Sequence, residues 1–366
     1  MSDIDRTGAV ATAFQRHFVT AAEVSVFAPG RVNLLGEHTD YNGGYVLPMA
    51  LNGLGVSIAV ARGGTPGRID AYSETFDLSE TRDIDEKKAD TWSDYVLGCF
   101  QALARDEIAD TGCQVALATT VPLGAGLSSS AALEVACFRA MSELYAKPMT
   151  PVEIAVAARA VENGFVGMPC GIMDQFASSV GHPGEALFLD TRNLVYDYAP
   201  RPSGHAFVIV HSGVSHQLTN DGYATRVAEC QAAGAALGVE LLSDLGPDDL
   251  DRVNALPEPL NRRARHVITD NRRVLDGVAA LKADDPAAFG RLMVESHASQ
   301  RDDYAITVPE TDALVVRAME LGAVGARQTG GGFGGSIVAL VRNGDVERWG
   351  QEIVGDLPGV RVLAVT

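Results

Sequence analysis

The sequence has few cysteines, and their arrangement does not match a metal site or a disulfide framework. The five cysteines are odd in number and none forms a CxxC pair, which argues against disulfide scaffolding and against structural zinc. We expect buried free thiols in a reducing compartment. Three histidines, His205, His211 and His216, match no spacing used by metal sites, so we expect them to be ordinary core or surface residues.

Long apolar runs are also missing. No stretch approaches the roughly 18 uninterrupted apolar residues of a membrane helix. The N-terminal sequence MSDIDRTGAV carries early acids where a signal peptide would have an apolar segment. The sequence therefore predicts a cytoplasmic protein with no membrane partner.

Positive charge is scarce. Lysine and arginine total 29 against 47 acidic residues, for a formal net charge of −18, and the lysines are confined to Lys87, Lys88, Lys147 and Lys282. This balance disfavours nucleic acid, whose binding needs clustered basic residues. We expect no nucleic-acid partner and a monomer that acts on small molecules. None of the lysines lies in a glycine-rich loop, so any phosphate must be bound by backbone N–H groups, arginine and a metal ion.

The 366 residues predict two domains, and strand and helix patterns without a regular βαβ alternation predict an α+β fold. The segment RPSG at 201–204 interrupts the pattern, which predicts domains at 1–200 and 201–366. We expect a glycine-rich loop from 28 to 55. The predicted strands are 24–27, 56–62, 114–121, 206–212, 336–342 and 360–365, and the predicted helices are 128–145, 151–163, 261–282 and 286–297.

Two glycine-rich segments stand beside predicted elements. The first, PLGAGLSSS at 122–130, leads from a strand into a helix, whose first N–H groups and partial positive charge suit a phosphate. It lacks the GK[ST] ending of a Walker loop, and a plain strand-to-helix turn capped by serine has the same pattern. The second, GGGFGG at 330–335, precedes a strand. Because glycine is entropically costly, it predicts a tight backbone approach or else a hairpin.

Two further segments combine charge with glycine. Residues 28–44 place Arg31, Glu37, His38 and Asp40 close together, a hydrogen-bonding surface suited to a polyhydroxylated ligand, although a solvated loop is the alternative. Asp174 stands in an apolar context with no partner nearby in sequence. A buried carboxylate needs a cation or several donors, which Arg31 can supply, whereas the alternative is a turn or cap residue.

Together these segments resemble a known family. GRVNLLGEHTDYNGGYVLP, VPLGAGLSSSAALEVA and GARQTGGGFGGS are similar to the three signature motifs of the GHMP kinases, and the first resembles the galactokinase signature. The resemblance extends over about residues 24–340. It implies an N-terminal domain like ribosomal protein S5 domain 2, a ferredoxin-like α+β C-terminal domain and an active site in the cleft between them.

The resemblance also implies ATP and Mg²⁺ as cofactors. Ser130 and Glu162 would hold the metal, and Asp94 stands where the family usually has asparagine. The residues implied to bind the nucleotide are Trp92, Tyr95, Gly124, Ala125, Gly126, Leu127, Ser128, Ser129 and Ser130, although Trp92 is equally consistent with a core position.

By the same resemblance, the reaction phosphorylates the C1 hydroxyl of D-galactose. Asp174 would orient or deprotonate that hydroxyl, and Arg31 would stabilise Asp174 and the transferring phosphoryl group. The residues implied to bind the sugar are Arg31, Glu37, His38, Asp40, Gly171, Asp174 and Tyr223. Two alternatives stay open: a kinase for another sugar, such as N-acetylgalactosamine, arabinose or a uronic acid, and a sugar- and ATP-binding sensor without catalysis.

Overall fold

The computed structural model describes the backbone of residues 3–214 and 220–366 and the side chains of 6–214 and 222–366. His216 lies outside this range. Within it the chain forms eleven α-helices and twelve β-strands. In chain order they are α1 Asp3–Phe18, β1 Val24–Asn33, β2 Tyr45–Val46, β3 Pro48–Arg62, β4 Arg68–Ser73, β5 Leu78–Asp83, α2 Asp94–Thr111, β6 Cys113–Thr119, α3 Ser129–Leu144, α4 Pro151–Val161, α5 Met173–Val180, β7 Glu185–Asp190, β8 Val195–Pro200, β9 His205–Ser212, α6 Asn220–Leu237, α7 Leu250–Asn254, α8 Leu260–Lys282, α9 Pro286–Ser299, α10 Pro309–Glu320, β10 Gly325–Thr329, β11 Ser336–Arg342, α11 Val346–Val354 and β12 Val360–Val365.

Residues pack into two compact units, each built from several chain segments. Unit 1 comprises 1–30, 53–122 and 128–180, and unit 2 comprises 31–52, 123–127 and 181–366. The units do not coincide with the continuous ranges 1–200 and 201–366 predicted from the sequence. Those ranges stay a prediction about sequence domains.

Unit 1 is a sheet with helices on both faces. Strand β6 pairs antiparallel with β3 and parallel with β4, and β4 and β5 form an antiparallel hairpin. Alternation along β3 sorts the side chains by face, because neighbouring residues of a strand point in opposite directions. Ile58 and Val60 face the core formed with α2, α3 and α4, whereas Ala59 and Ala61 face Val10 and Phe14 of α1.

Local capping interactions define the start of α4. Thr150 accepts a hydrogen bond from the Glu153 N–H at 3.3 Å, and the Glu153 carboxylate accepts one from the Thr150 N–H at 2.7 Å. Pro151 occupies the first helical position, where the missing N–H costs nothing. This capping box fixes the start of the helix that leads to Glu162.

Unit 2 contains a four-stranded antiparallel sheet in the order β10-β11-β9-β12. The elements follow a β-α-β-β-α-β succession, which is the ferredoxin-like arrangement. They are β9, the intervening helices, β10, β11, α11 and β12. Leu314 of α10 and Trp349 of α11 pack on Val208 and Ile337 of the sheet. The predicted α+β class and the ferredoxin-like C-terminal domain are confirmed.

The loop predicted for 28–55 is wrong in part. Strand β1 continues to Asn33, β2 forms at Tyr45–Val46, and β3 begins at Pro48. Pro29 and Gly30 favour a loop because proline cannot donate to a ladder and glycine weakens a strand. The structure accommodates both in β1, which pairs with β3.

Candidate active site

The glycine-rich loop 124–128 leads into α3 through three left-handed residues. Gly124, Gly126 and Ser128 have φ of 68°, 72° and 58°, a conformation that glycine adopts freely and serine does not. The helix begins at Ser129, so its unpaired N–H groups lie directly after the loop. A helix N-terminus that follows a glycine-rich loop presents N–H groups suited to binding phosphate oxygens.

In unit 1, Asp174 lies against the end of this loop. Residue 174 stands in the first turn of α5, and its Oδ2 accepts a hydrogen bond from the Ser128 hydroxyl at 2.5 Å. Gly171 is buried just before that helix. The structure thus brings together Asp174 and Ser128, which were predicted from separate motifs. The Ser128 bond was not predicted, because nothing in the sequence connects two residues 46 positions apart.

Glu162 is the centre of a buried polar cluster in unit 1. It is 7% exposed and accepts hydrogen bonds from the Ser130 hydroxyl, the Gln175 amide and the Cys170 thiol. Burial, followed by the negative charge of Asp174, raises the pKa of Glu162 from 4.5 to about 7. Ser130 and Glu162, predicted as a pair, are therefore in contact.

A second carboxylate, missed by sequence reasoning, lies beside this cluster. Glu134 of α3 is fully buried, and its Oε2 accepts a hydrogen bond from Gln175 Nε2 at 3.2 Å. Burial and then the charge of Glu162 raise the pKa of Glu134 well above its ordinary value. One signal was available, since a glutamate four residues after Ser130 shares its helix face and interrupts an apolar run.

Trp92 and Tyr95, the predicted adenine contacts, belong to unit 1. Trp92 packs on the core, but its Nε1 is buried and has no hydrogen-bond partner within the described part of the chain. Burial, with the charges of Glu162 and Glu134, raises the pKa of Tyr95, so its hydroxyl lies near those carboxylates. Asp94 accepts hydrogen bonds from Arg82 and the Ala89 N–H.

Asp94 has a structural explanation for its departure from the usual asparagine. Burial acts to raise its pKa, but the N–H groups of Ala89 and Thr91 and the Arg82 guanidinium outweigh burial and lower it. The side chain is 2% exposed and forms an ion pair with Arg82 at 2.9 Å. Asp94 therefore stabilises the loop before α2.

In unit 2, Arg31 contacts the glycine-rich loop. Its Nη1 donates to the Gly126 carbonyl at 2.6 Å, and its N–H donates to the Leu127 carbonyl at 3.2 Å. The second glycine segment approaches the same loop, because a Cβ added at Gly330 would lie 2.7 Å from the Gly126 oxygen. Ser336 donates to the Ala125 carbonyl at 2.8 Å. The predicted tight approach at 330–335 is thus an approach to the glycine-rich loop 124–128.

Glu37 is buried and strongly held within unit 2. Its Oε1 accepts the Gly330 N–H at 2.6 Å, and its Oε2 accepts from Asn33 at 2.7 Å and Arg327 at 2.9 Å. Burial raises the pKa of Glu37, and the charges of Arg327 and Arg31 act in the opposite direction. Arg327 and Asn33 were not predicted as partners.

His38, Asp40 and Tyr223 complete the predicted sugar residues. The His38 and Tyr223 rings have centroids 4.9 Å apart. Asp40 is half-buried at the start of a short 3-10 turn, where its Oδ1 accepts the Tyr41 N–H at 3.0 Å. Asp270 of α8 accepts the N–H groups of Gly36 and Glu37 at 3.0 and 3.3 Å, which fixes the backbone leading into this group.

No group of three or more histidine, cysteine, aspartate or glutamate side chains in the described ranges is arranged to hold a metal ion. The five cysteines are free, and four of them are buried. In the part of the chain that the structure describes, no helix is both long and apolar enough to cross a membrane.

Three family models match the sequence in order along the chain. They are the galactokinase galactose-binding signature over residues 12–62, the GHMP kinases N terminal domain over 94–182 and the GHMP kinases C terminal over 278–353. Together with the fold and the two glycine-rich segments, these matches define a GHMP kinase.

Individual relatives narrow the class. The chain is 40% identical over 329 residues to the galactokinase of Thermococcus kodakarensis, covering 90% of this chain and 92% of that relative. It is 42% identical over 356 residues to the galactokinase of Roseiflexus sp. (strain RS-1), covering 95% and 90%. The crystal structure of Lactococcus lactis galactokinase complexed with galactose superimposes with a TM-score of 0.90 at 30% identity, covering 98% of this chain and 99% of that one.

The chain belongs to the galactokinase family. The predicted family, the two-domain GHMP kinase fold and the assignment as an enzyme are confirmed. A kinase for a different sugar and a sensor without catalysis are not favoured by these matches.

Proposed function

We propose that this protein transfers the γ-phosphoryl group of ATP to the C1 hydroxyl of D-galactose, giving α-D-galactose 1-phosphate and ADP. The observation that carries the proposal is the 40–42% identity to galactokinases over at least 90% of the chain. The match to the galactose-binding signature supports it, because that match includes Arg31, Glu37, His38 and Asp40.

Asp174 is proposed to act on the acceptor hydroxyl. Phosphoryl transfer passes through a loose transition state, so the residues mainly position the reactants and neutralise charge. The bond from Ser128 orients the Asp174 carboxylate, and this carboxylate is proposed to accept the C1 hydroxyl proton or to hold that hydroxyl in place. Arg31 is proposed to stabilise the charge on the phosphoryl group.

The sugar hydroxyls are proposed to bind Arg31, Glu37, His38, Asp40, Gly171, Asp174 and Tyr223. Glu37 already accepts hydrogen bonds at both oxygens. A carboxylate has about four lone-pair sites, so Glu37 keeps the capacity to accept from a sugar hydroxyl as well.

The nucleotide is proposed to bind along residues 124–130, with Trp92 and Tyr95 near the adenine. The left-handed glycines and the start of α3 at Ser129 support the phosphate part. The orphaned Trp92 Nε1 supports the adenine part, because a buried donor without a partner is costly unless a ligand supplies the acceptor.

Ser130 and Glu162 are proposed to hold Mg²⁺. The donor set fits, because Mg²⁺ prefers a few hard oxygen ligands together with substrate phosphates. The raised pKa of Glu162 also fits, since a carboxylate that burial disfavours in its charged form gains most from a nearby cation. When bound, Mg²⁺ neutralises charge on the phosphate oxygens.

The proposal includes a cytoplasmic monomer. The five free cysteines support the location, because unpaired thiols are typical of reducing compartments.

The proposed function is tested by a coupled assay of ADP release over a panel of free sugars. The panel contains galactose, glucose, N-acetylgalactosamine, arabinose and galacturonic acid, at equal concentrations with saturating ATP. We expect turnover with galactose to exceed that with every other sugar. Equal turnover with a second sugar would replace the substrate assignment, and ATP binding without ADP release on any sugar would identify a sensor.

A further inference from the structure

Four side chains of unit 2 form a continuous hydrogen-bonded chain that ends on His38. His38 Nδ1 lies 2.8 Å from the Tyr41 hydroxyl, which lies 2.7 Å from the Tyr304 hydroxyl. The Tyr304 hydroxyl lies 3.0 Å from Cys230 Sγ. These residues come from the segment before β2, from α6 and from the turn after α9.

Most of this chain is buried. Tyr304 is fully buried, Cys230 is 2% exposed and His38 is 4% exposed. Burial raises the pKa of Tyr41 and Tyr304 well above the ordinary value, and it raises the pKa of the Cys230 thiol to about 11. All three groups therefore keep their protons at neutral pH, so each has one proton to donate.

The Gly331 carbonyl fixes the donor-to-acceptor direction of these hydrogen bonds. His38 Nε2 lies 3.1 Å from the Gly331 carbonyl oxygen, which can only accept. Nε2 must therefore carry a proton, and in neutral His38 Nδ1 accepts from Tyr41. The Tyr41 oxygen then accepts from Tyr304, and the Tyr304 oxygen accepts from the Cys230 thiol.

His38 is also held in a strained backbone conformation. Its φ is 60°, which is uncommon for a residue with a side chain. Such strain persists only where the surroundings determine it, and it concentrates at functional sites. Asn42 Nδ2 donates to the His38 carbonyl at 2.9 Å, and the His266 ring packs on Tyr304 with centroids 4.3 Å apart. The backbone of His38 and the ring of Tyr304 are thus both held by residues that are not among the four hydrogen-bonded side chains.

We propose that Tyr41, Tyr304 and Cys230 are positioning residues that hold the His38 ring in one orientation against Tyr223, the neighbouring residue proposed to bind the sugar, while the Gly331 carbonyl sets the Nε2–H tautomer. The proposal rests on the proposed function, in which His38 binds galactose. The three residues act through His38 and do not themselves touch the sugar.

The first test reads His38 directly and needs no activity. The ¹⁵N imidazole spectrum of the full-length protein is recorded at neutral pH without ligands, with His38 assigned by its loss in His38→Gln. We expect a protonated Nε2 and an unprotonated Nδ1 whose shift shows an accepted hydrogen bond. A Tyr41→Phe variant should move Nδ1 towards the shift of an unbonded nitrogen. An Nδ1–H tautomer or an imidazolium at neutral pH would overturn the proposal.

The second test separates positioning from folding by steady-state kinetics. Tyr41→Phe and Tyr304→Phe each remove the two hydrogen bonds that the lost hydroxyl makes, so KM for galactose should rise about three- to tenfold, with kcat and KM for ATP within about twofold. Cys230→Ser keeps a donor and should leave KM for galactose unchanged, whereas Cys230→Ala should raise it about threefold. The control is Tyr72→Phe, a buried tyrosine of unit 1 bonded to Glu74 and Asp77, which should change neither constant.

The outcomes distinguish the two proposals. If the wild-type protein releases no ADP with galactose, the proposed function fails while the ¹⁵N spectrum still decides the tautomer. If galactose is a good substrate but Tyr41→Phe and Tyr304→Phe leave KM for galactose unchanged, the positioning role fails alone. Loss of kcat without a change of KM for galactose also contradicts the positioning role.

Discussion

Arg327 donates a hydrogen bond from Nη2 to Oε2 of Glu37 at 2.9 Å, and their side chains are 0% and 2% exposed. Two charges that are this deeply buried depend on each other, because removal of one leaves the other uncompensated. We predict that Glu37→Ala lowers the free energy of unfolding by roughly 3–5 kcal/mol, measured by urea denaturation.

A double variant provides the matched control. Glu37→Gln/Arg327→Met keeps an acceptor for the Gly330 N–H and removes both charges, so it should recover at least half of the lost stability. A Glu37→Ala protein within about 1 kcal/mol of the wild type would contradict the prediction. Activity lost in Glu37→Ala consequently says little about sugar contacts.

We predict that Asp174→Asn lowers kcat by roughly 10²-fold or more and leaves the affinity for ATP nearly unchanged. The amide keeps the shape of the side chain but cannot accept a proton, and it weakens the bond with Ser128. Turnover is measured by ADP release and nucleotide affinity by calorimetry. Asp197→Asn, an exposed residue paired with Lys282, is the control, and near-normal kcat in folded Asp174→Asn would remove Asp174 from the mechanism.

We predict an absolute requirement for a divalent metal. Activity should vanish in excess EDTA and return with Mg²⁺, and Glu162→Gln should raise the Mg²⁺ concentration for half-maximal rate by about tenfold or more, because one carboxylate ligand is lost. Glu134→Gln is the matched control. Burial favours the protonated form of Glu134, which an amide resembles, so its Mg²⁺ dependence should stay close to wild type. Wild-type dependence in Glu162→Gln would assign the metal to other residues.

We predict that kcat/KM for galactose exceeds that for glucose by at least ~10²-fold. The two sugars differ only in the direction of the C4 hydroxyl, so the wrong epimer leaves buried polar groups unpaired. Asp40→Ala should shrink this ratio more than it alters KM for ATP. Asp248→Ala, at an exposed aspartate, should leave the ratio intact, and an undiminished ratio in Asp40→Ala would exclude Asp40 from sugar selection.

We predict that the metal-free protein becomes less stable as the pH rises from about 4.5 to about 7. The pKa of Glu162 rises from 4.5 to about 7 on folding, so over this range the folded state binds more protons than the unfolded state and stability falls with pH. The effect is at most roughly 3 kcal/mol. In EDTA, Glu162→Gln should match the wild type at pH 5 and exceed its stability at pH 8. Parallel pH profiles for the two proteins would contradict the raised pKa.

Local sequence signals predicted much of the fold. The strand–loop–helix succession around 114–145 is confirmed, as are the helix that begins at Pro151, strand β9 and the helices α8 and α9. Each depends on interactions within a few residues, which periodicity and capping chemistry reveal. The prediction failed at Pro29 and Gly30, which lie within β1, a strand that pairs with β3 despite the local preference for a loop.

The motifs supplied the candidate site residues, but they did not predict the residues that contact those candidates. Arg327 and Asp270, which anchor Glu37, lie 290 and 233 positions away in the sequence. Glu134 and Gln175 belong to two other helices, and Gln175 donates hydrogen bonds to both Glu134 and Glu162. Contacts of this range follow from tertiary packing, and a single sequence contains no local pattern that encodes them.

The packing of residues 31–52 in unit 2 has a consequence for folding during synthesis. The Leu35 and Leu47 side chains lie against Gly277, and Asp270 accepts the Gly36 N–H, so this early segment is anchored on α8. A ribosome reaches the end of α8 roughly 230 residues after Asn52, which is on the order of ten to fifty seconds of synthesis. During that interval this segment, which contains the buried Leu35 and Leu47, has no α8 to pack against. Chaperone binding is therefore expected to concentrate on this segment until α8 has emerged.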